Sequence, residues 1–359
     1  RTSITFDVII IGGCITGITT ALLLQKKGYK VMLVDYNEVG FFTSGSYVTH
    51  VNGFYDSVYF DILKKLDNGR YDLFKRAVKE TENFLMNTVK EYNIQCDLQK
   101  ADGYILAKTK EEIVEMERWN SITGNGHSTV KSLPVQLNSK KSESVGMGFL
   151  VNNVKYLNAL KNEFLKIDGQ IQESARVLKI EGDAVKTVYS TRGKFKGKKI
   201  VYTPQTSRIV NVKPYKLFPY IYYSVYAELE NYDVTPCFSY DLHNPSHRYI
   251  VTSDGFSSVV ISGCDHKNVK GKVRTKYFDE LKNLLLKNFN VKDAIATWSY
   301  VYYMNDDMLP VIGAVPQQKN AYIAAGYKPD GMVVAFIATE ILVSLITEGE
   351  SVYADLFSK

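Results

Sequence analysis

The stretch Phe6-Asp-Val-Ile-Ile-Ile-Gly-Gly-Cys-Ile-Thr-Gly17 decides the fold. Residues 6–11 are an almost unbroken apolar run rich in Ile and Val, the pattern of a strand buried on both faces in a parallel sheet. Gly12, Gly13 and Gly17 follow, and helical spacing then runs from about 15 to 27. Gly28 stands where helices commonly end. Residues 30–34 form a second strand with Asp35 at its tip. Strand, glycine turn, helix and strand in that order make a βαβ unit of the kind that opens a doubly wound α/β sheet.

The same unit carries a chemistry. Its turn offers free N–H groups and the positive end of a helix dipole to a diphosphate. An acidic residue ending the second strand accepts from a ribose hydroxyl. Gly12, Gly13, Cys14, Thr16, Gly17 and Asp35 are therefore candidate nucleotide-binding residues. Cys14 departs from the pattern, because the middle position is ordinarily glycine so that backbone can approach phosphate. It reads as a tolerated substitution or a weakened site, with a reactive thiol at a helix N-terminus as a further reading.

Composition bounds the rest. The chain has 359 residues, 45% of them hydrophobic, enough for two intertwined domains. The net charge of +6 is spread along the sequence, and its densest run, Lys194, Lys196, Lys198 and Lys199, alternates as on a solvated strand face. No cluster of arginines with interleaved aromatics points to nucleic acid. Cysteines 14, 96, 237 and 264 form no CxxC pair, which suits a reducing, cytoplasmic setting. Residues 8–11 are too short for a signal peptide, and 332–346 read as a buried helix rather than a membrane span. A soluble protein is expected, of unassigned oligomeric state.

Further along, helical spacing covers 71–92, 154–165 and 276–289, and a strand covers 103–107. Residues 176–203 read as a meander with turns at Gly182-Asp183 and Arg192-Gly193. Strands are expected at 222–229, 248–252, 258–262 and 321–324, followed by a Gly331 turn and a terminal helix. The β-rich middle interrupts the α/β parts, so the domains are discontinuous.

Five stretches carry a family resemblance: Asp7-Val-Ile-Ile-Ile-Gly-Gly with Gly17; Thr43-Ser-Gly-Ser-Tyr-Val-Thr-His50; Gly263-Cys-Asp-His-Lys267; Asp307-Met-Leu-Pro-Val-Ile-Gly313; and Ala325-Gly-Tyr-Lys-Pro-Asp-Gly-Met332. Over nearly its whole length the chain resembles the D-amino-acid-oxidase-type (DAO) FAD oxidoreductases, closest to the flavoprotein part of bacterial members that carry a C-terminal Rieske domain. No Rieske Cys/His pairs follow, so no internal iron–sulfur acceptor is expected. The resemblance implies a Rossmann-like FAD-binding domain, a doubly wound parallel sheet plus β-meander, at 1–85, 146–213 and 300–359. It implies an α+β substrate domain on a mixed or antiparallel sheet at 86–145 and 214–299. Thr43, Ser44, Gly45 and Ser46 would hold the pyrophosphate and flavin edge, and His50 would lie near that loop. Val177 would meet the adenine through its backbone. Gly313, Gly331, Met332 and Val333 would lie at the flavin, the last three aiming amides at its N1–C2=O edge.

The implied reaction oxidises a C–N bond of an amine or amino acid by hydride transfer to flavin N5, with oxygen or a diffusible carrier taking the electrons. The catalytic candidates are Arg248, Tyr302 and Lys328. Arg248 is either a carboxylate binder or a surface strand arginine; Tyr302, with Tyr249 and Trp298, is a wall or a core residue; Lys328 is a cation beside the flavin or an exposed turn lysine. His243, His247, Cys264 and His266 read as hydrogen-bonding groups, and no metal ligands are assigned. Phe41, Phe42, Tyr47, Val48, Met308, Pro329 and Phe336 are larger than the family's usual residues. With Cys14 they motivate a second reading, a non-catalytic descendant whose FAD site is remodelled or lost and which acts as a binding or scaffold module.

Overall fold

The computed structural model describes residues 4–41, 48–52, 62, 65–123, 128–135, 137–203, 215–230, 234–253, 255–268, 270–328 and 332–357. In chain order the strands are β1 (Thr5–Ile11), β2 (Val31–Val34), β3 (Thr49–Val51), β4 (Gln99–Ala107), β5 (Ser128–Thr129), β6 (Lys141–Val151), β7 (Gln170–Gln172), β8 (Val177–Glu181), β9 (Lys186–Ser190), β10 (Gly193–Tyr202), β11 (Leu217–Leu229), β12 (Cys237–Asp241), β13 (Arg248–Ser253), β14 (Ser257–Lys267), β15 (Val291–Asn305), β16 (Val311–Ala314) and β17 (Ala321–Ala325). The helices are α1 (Ile15–Lys26), α2 (Asn68–Glu91), α3 (Lys110–Thr123), α4 (Asn153–Lys166), α5 (Thr275–Asn288) and α6 (Met332–Thr347).

The first sheet runs β16-β17-β10-β1-β2-β7. β7, β2, β1, β10 and β17 are parallel, and β16 closes the edge antiparallel. β1 is apolar throughout because both its faces are covered. Val8 and Ile10 pack against α1, α2, α4 and α6, with Ile18, Val78, Leu160 and Ala338 among their cluster. Phe6, Ile9 and Ile11 point the other way, into a core shared with Val177 and Val188 of the β8–β9 hairpin. That hairpin extends antiparallel from the first half of β10, which makes the meander. The expected helices all form, and Asp67 caps α2 by accepting from Arg70 N at 2.9 Å. α6 is apolar on nearly every side and is buried over most of its length. Among the described residues no helix is long and apolar enough to cross a membrane.

The second sheet runs β15-β11-β14-β13-β12-β4-β6-β3, with β5 on β6. It is antiparallel except for the β12–β4 pair. Strand alternation gives it two distinct faces. Ile221, Tyr223, Val225, Tyr249 and Val251 lie under α5 with Leu281 and Leu285. Tyr222 and Tyr302 sit on the other face with Met304. The sheets interleave more finely than the expected boundaries: β3, the second half of β6 and the end of β15 all belong to the second sheet.

The β1–α1 turn is the tightest joint of the fold. Gly12 has φ +114°, open to glycine at little cost. A Cβ on Gly17 would lie 1.9 Å from Gly12 O and 2.8 Å from Thr203 Oγ1. Gly17→Ala is expected to lower unfolding free energy by about 1–3 kcal/mol, an overpacking cost. Urea unfolding followed by circular dichroism measures it, and an unchanged midpoint would refute the packing argument.

Candidate functional site

The nucleotide end is built from three chain segments. Gly13 N donates to Asp35 Oδ2 in a short hydrogen bond, and Asn37 N donates to Asp35 Oδ1 at 2.7 Å. Thr203 hydrogen-bonds back to the turn, its Oγ1 donating to Gly12 O at 2.8 Å. Burial pushes the Asp35 carboxyl up to about 6; the Gly13 and Asn37 amides oppose that rise and Glu173 adds to it. Among the described residues the α1 N-terminus has no side-chain cap, and its first turn holds no acidic residue. Its first amides therefore keep their partial positive charge for an external anion.

Cys14 is half-buried at the start of α1. Its Sγ turns inward and donates to Thr203 O at 3.7 Å. Burial pushes the thiol pKa up, outweighing the pull of the Gly17 and Thr16 amides and of Thr203. Thr16 is buried, and its Oγ1 lies 2.5 Å from the Tyr327 hydroxyl. That bond ties the loop entering α6 to the start of α1. Tyr327 went unremarked in the sequence although it stands inside the motif 325–332.

The enlarged residues that are described fall in different places. Phe41 is exposed and Phe336 is buried, its ring 5.0 Å from Phe84 and 6.3 Å from Tyr156 in the helical layer. Met308 has φ +61° and packs against Tyr222, Tyr302 and Met304. Val48 packs with the cluster around Ala101 and Leu150. α6 turns Phe336 to the core, whereas Val48 lines the cavity walled by Tyr222 and Met308 packs against that ring's cluster. Phe42, Tyr47 and Pro329 lie outside the described residues, as do Thr43, Ser44, Gly45, Ser46 and Gly331.

Met332 and Val333 begin α6, and both are buried. Gly313, on β16, has φ +141°, and an added Cβ there would meet nothing within 4 Å, so conformation and not space calls for glycine. Val177 is buried at an irregularity in the β8–β9 pairing, which leaves its backbone as the element the site could use. Lys328 is half-buried on the loop between β17 and α6.

Arg248 is a buried residue and not a surface strand arginine. Its Nη2 donates to Asp265 Oδ1 at 2.9 Å, and its guanidinium lies 5.6 Å from the Tyr222 ring centroid. Tyr302 donates its hydroxyl to Asp265 Oδ2 at 3.1 Å. Burial, with Asp265 beside it, holds the Tyr302 phenol well above its ordinary pKa and so protonated. Asp265 thus joins two of the candidates, and sequence reasoning missed it inside the motif 263–267. His50 belongs to the same wall. It stacks on Phe238 at 4.7 Å and shares a short hydrogen bond through Nε2 with the Tyr240 hydroxyl. His50, Arg248, Tyr222 and Trp298 line a cavity of about 20 Å³, room for about one water. A larger cleft of about 350 Å³ opens beside α5 between Lys108, Lys140 and Lys287; Tyr249 lines it, and Arg248, Tyr302 and Lys328 do not.

The residues present fit the ADP end of FAD: an uncapped helix start for the diphosphate and, 22 positions on from Gly13, an ionisable acceptor for a ribose. A family model described as FAD dependent oxidoreductase, DAO, matches residues 7–345. The chain is 25% identical to YhfW of Bacillus subtilis, named as a Rieske 2Fe-2S iron–sulfur protein, over 98% of this chain and 70% of that protein. Among solved structures, glycine oxidase from Geobacillus kaustophilus superposes with a TM-score of 0.80 at 15% identity, covering 97% of this chain and 96% of that one. L-proline dehydrogenase from P. horikoshii gives 0.75 at 17% identity, covering 98% and 96%.

Asp35 sets a pH dependence. Its folded pKa of about 6 exceeds the reference of 3.8, so the protonated form favours the folded state. The stability it contributes is present below about 4 and is lost as pH rises through about 6. FAD affinity should move oppositely, strengthening through about 6 as the ribose acceptor ionises. Asp35→Asn should flatten both profiles, measured by denaturation of the FAD-free protein and by fluorescence titration with FAD. In a second test Phe336→Leu should lower stability by about 1 kcal/mol or more and leave FAD affinity within twofold. Tighter FAD binding in that variant would restore Phe336 to the cofactor wall.

Proposed function

The chain belongs to the DAO family of FAD-dependent oxidoreductases, and from that premise we propose that it oxidises a C–N bond of a small amine or amino acid. When bound, FAD would supply the two-electron acceptor for this oxidation and pass the electrons on to oxygen or a diffusible carrier. The observation that carries the substrate class is the Arg248–Asp265–Tyr302 cluster. A buried cation and a carboxylate stand 2.9 Å apart on one face of the second sheet. The pair matches the two charges of an amino acid: Arg248 can share its guanidinium with a substrate carboxylate, and Asp265 can accept from the amine. Tyr302 keeps Asp265 oriented through its hydroxyl. Tyr222 and Trp298 supply apolar walls that exclude water. Support also comes from relatives named for glycine and for L-proline, both compounds with a C–N bond. Lys328, on the loop entering α6, is our candidate for the cation that favours reduced flavin.

The non-catalytic alternative is weakened at one of its motivating positions, because Phe336 packs in the helical core. The test is the spectrum of the purified protein and its anaerobic bleaching by a panel of amines and amino acids. A yellow protein reduced by a panel member supports the proposal; a colourless one that takes up no added FAD overturns it. Arg248→Lys loses the planar fork and should raise KM for amino acids about tenfold or more, the size of a lost charged hydrogen bond. Amines lacking a carboxylate should be nearly unaffected.

A further inference from the structure

Behind the Arg248–Asp265 pair, on the α5 face of the same two strands, lie His247, Cys264 and Glu280. One ligand atom from each falls within 4.8 Å of the other two. We propose that these three side chains bind a zinc ion that ties α5 to the β13–β14 wall.

His247 is prepared as a ligand. Its backbone N donates to Asp241 Oδ1 and its Nδ1 lies 2.8 Å from Asp241 Oδ2. Asp241 is fully buried, and Lys108 Nζ sits 2.5 Å from its Oδ2. Both Asp241 contacts fix the orientation of the imidazole ring. Nε2, on a side chain only 6% exposed, has no hydrogen-bond partner. A carboxylate orienting the far nitrogen of a histidine is the usual support of a metal-bound imidazole.

What Nε2 faces is more electron density. Glu280 Oε1 is 3.6 Å away, beyond hydrogen-bond length. Cys264 supplies sulfur from the same strand end. A cation among the three ligand atoms gives the orphaned Nε2 a partner together with Glu280 and Cys264. Zinc bonds of about 2.0–2.3 Å at tetrahedral angles set ligand atoms roughly 3.3–3.8 Å apart. The exposed Glu280 side chain closes the remaining gap by a small rotation. Thiolate, imidazole and carboxylate together favour zinc over calcium or magnesium.

The backbone is shaped for the same arrangement. Between the pairs Ile221–His266 and Tyr223–Gly263, Cys264 and Asp265 oppose the single residue Tyr222. This is a β-bulge, and Cys264 sits in it with φ +58°, a conformation costly for a side-chain-bearing residue. The bulge turns Cys264 to the α5 cluster while Asp265 keeps its bond to Arg248. A Cβ on Gly263 would come within 2.9 Å of the His247 ring, so glycine there admits the imidazole. Of the other histidines singled out in the sequence, His243 bonds Pro245 O and His266 bonds Cys264 O, so neither is needed as a ligand.

Binding replaces the Cys264 thiol proton, which leaves to solvent, with a sulfur–zinc bond. The full chain is stripped with a chelator, dialysed and titrated with zinc chloride, and separately with cobalt(II) as a spectroscopic probe. One equivalent of zinc per chain is expected, and the cobalt form should show a thiolate charge-transfer band. Glu280→Gln, at an exposed helix position, should weaken zinc binding about tenfold or more. Cys264→Ser should abolish the cobalt band, while Cys14→Ser and Cys96→Ser leave it intact. Failure to take up zinc, or equal uptake by wild type, Glu280→Gln and Cys264→Ser, would overturn the site. Zinc uptake is read without FAD or substrate, so it stands apart from the proposed reaction.

Discussion

Gly17 lies so near the carbonyl of Gly12 that no side chain fits between them, and Thr203 from the tip of β10 closes the same space. Three elements therefore meet at van der Waals contact: the end of β1, the first turn of α1 and the chain leaving β10. This contact aims the α1 amides past the strand tips. It also places Gly13 N against the Asp35 carboxylate, so the diphosphate-facing and ribose-facing groups are set by one joint. Their cost appears in Asp35, whose charge is disfavoured by burial and is sustained by only two amides.

The chain passes repeatedly between the two sheets, which share no strand. Residues 48–52 reach β3, where His50 stacks on Phe238, and the loop after β17 returns through Tyr327 to Thr16. The strands of the second sheet do two jobs at once. Alternation sends Arg248 to one face and Tyr249 to the other, and the bulge at Cys264–Asp265 divides that pair between the same two faces. The Arg248–Asp265 ion pair and the backing cluster of His247, Cys264 and Glu280 are consequences of one register.

Much of this was legible in the residues. The Ile/Val run before Gly12, the turn pairs Gly182-Asp183 and Arg192-Gly193, and the spacing in 71–92 and 154–165 all became the expected elements. Local patterns encode them because helix and strand periods repeat within a few residues. The candidates Arg248 and Tyr302 were legible as residue types, but Asp265 was not. Their meeting requires β13, β14 and β15 to align across long loops. The bulky substitutions misled for the same reason: Phe336 and Met308 look alike in sequence, yet one faces the helical core and the other the tyrosine cluster.

By itself, then, the sequence determined the βαβ opening, the meander, the terminal buried helix and the acid at the tip of the second strand, because each is written in neighbouring residues. Only the tertiary structure decided that Arg248 is paired with Asp265, that Cys14 turns inward to Thr203, and that His247 and Cys264 share a space with Glu280. Those outcomes depend on strand register and on one extra residue in β14, quantities that sum contacts far apart in the chain and leave no periodic trace in it.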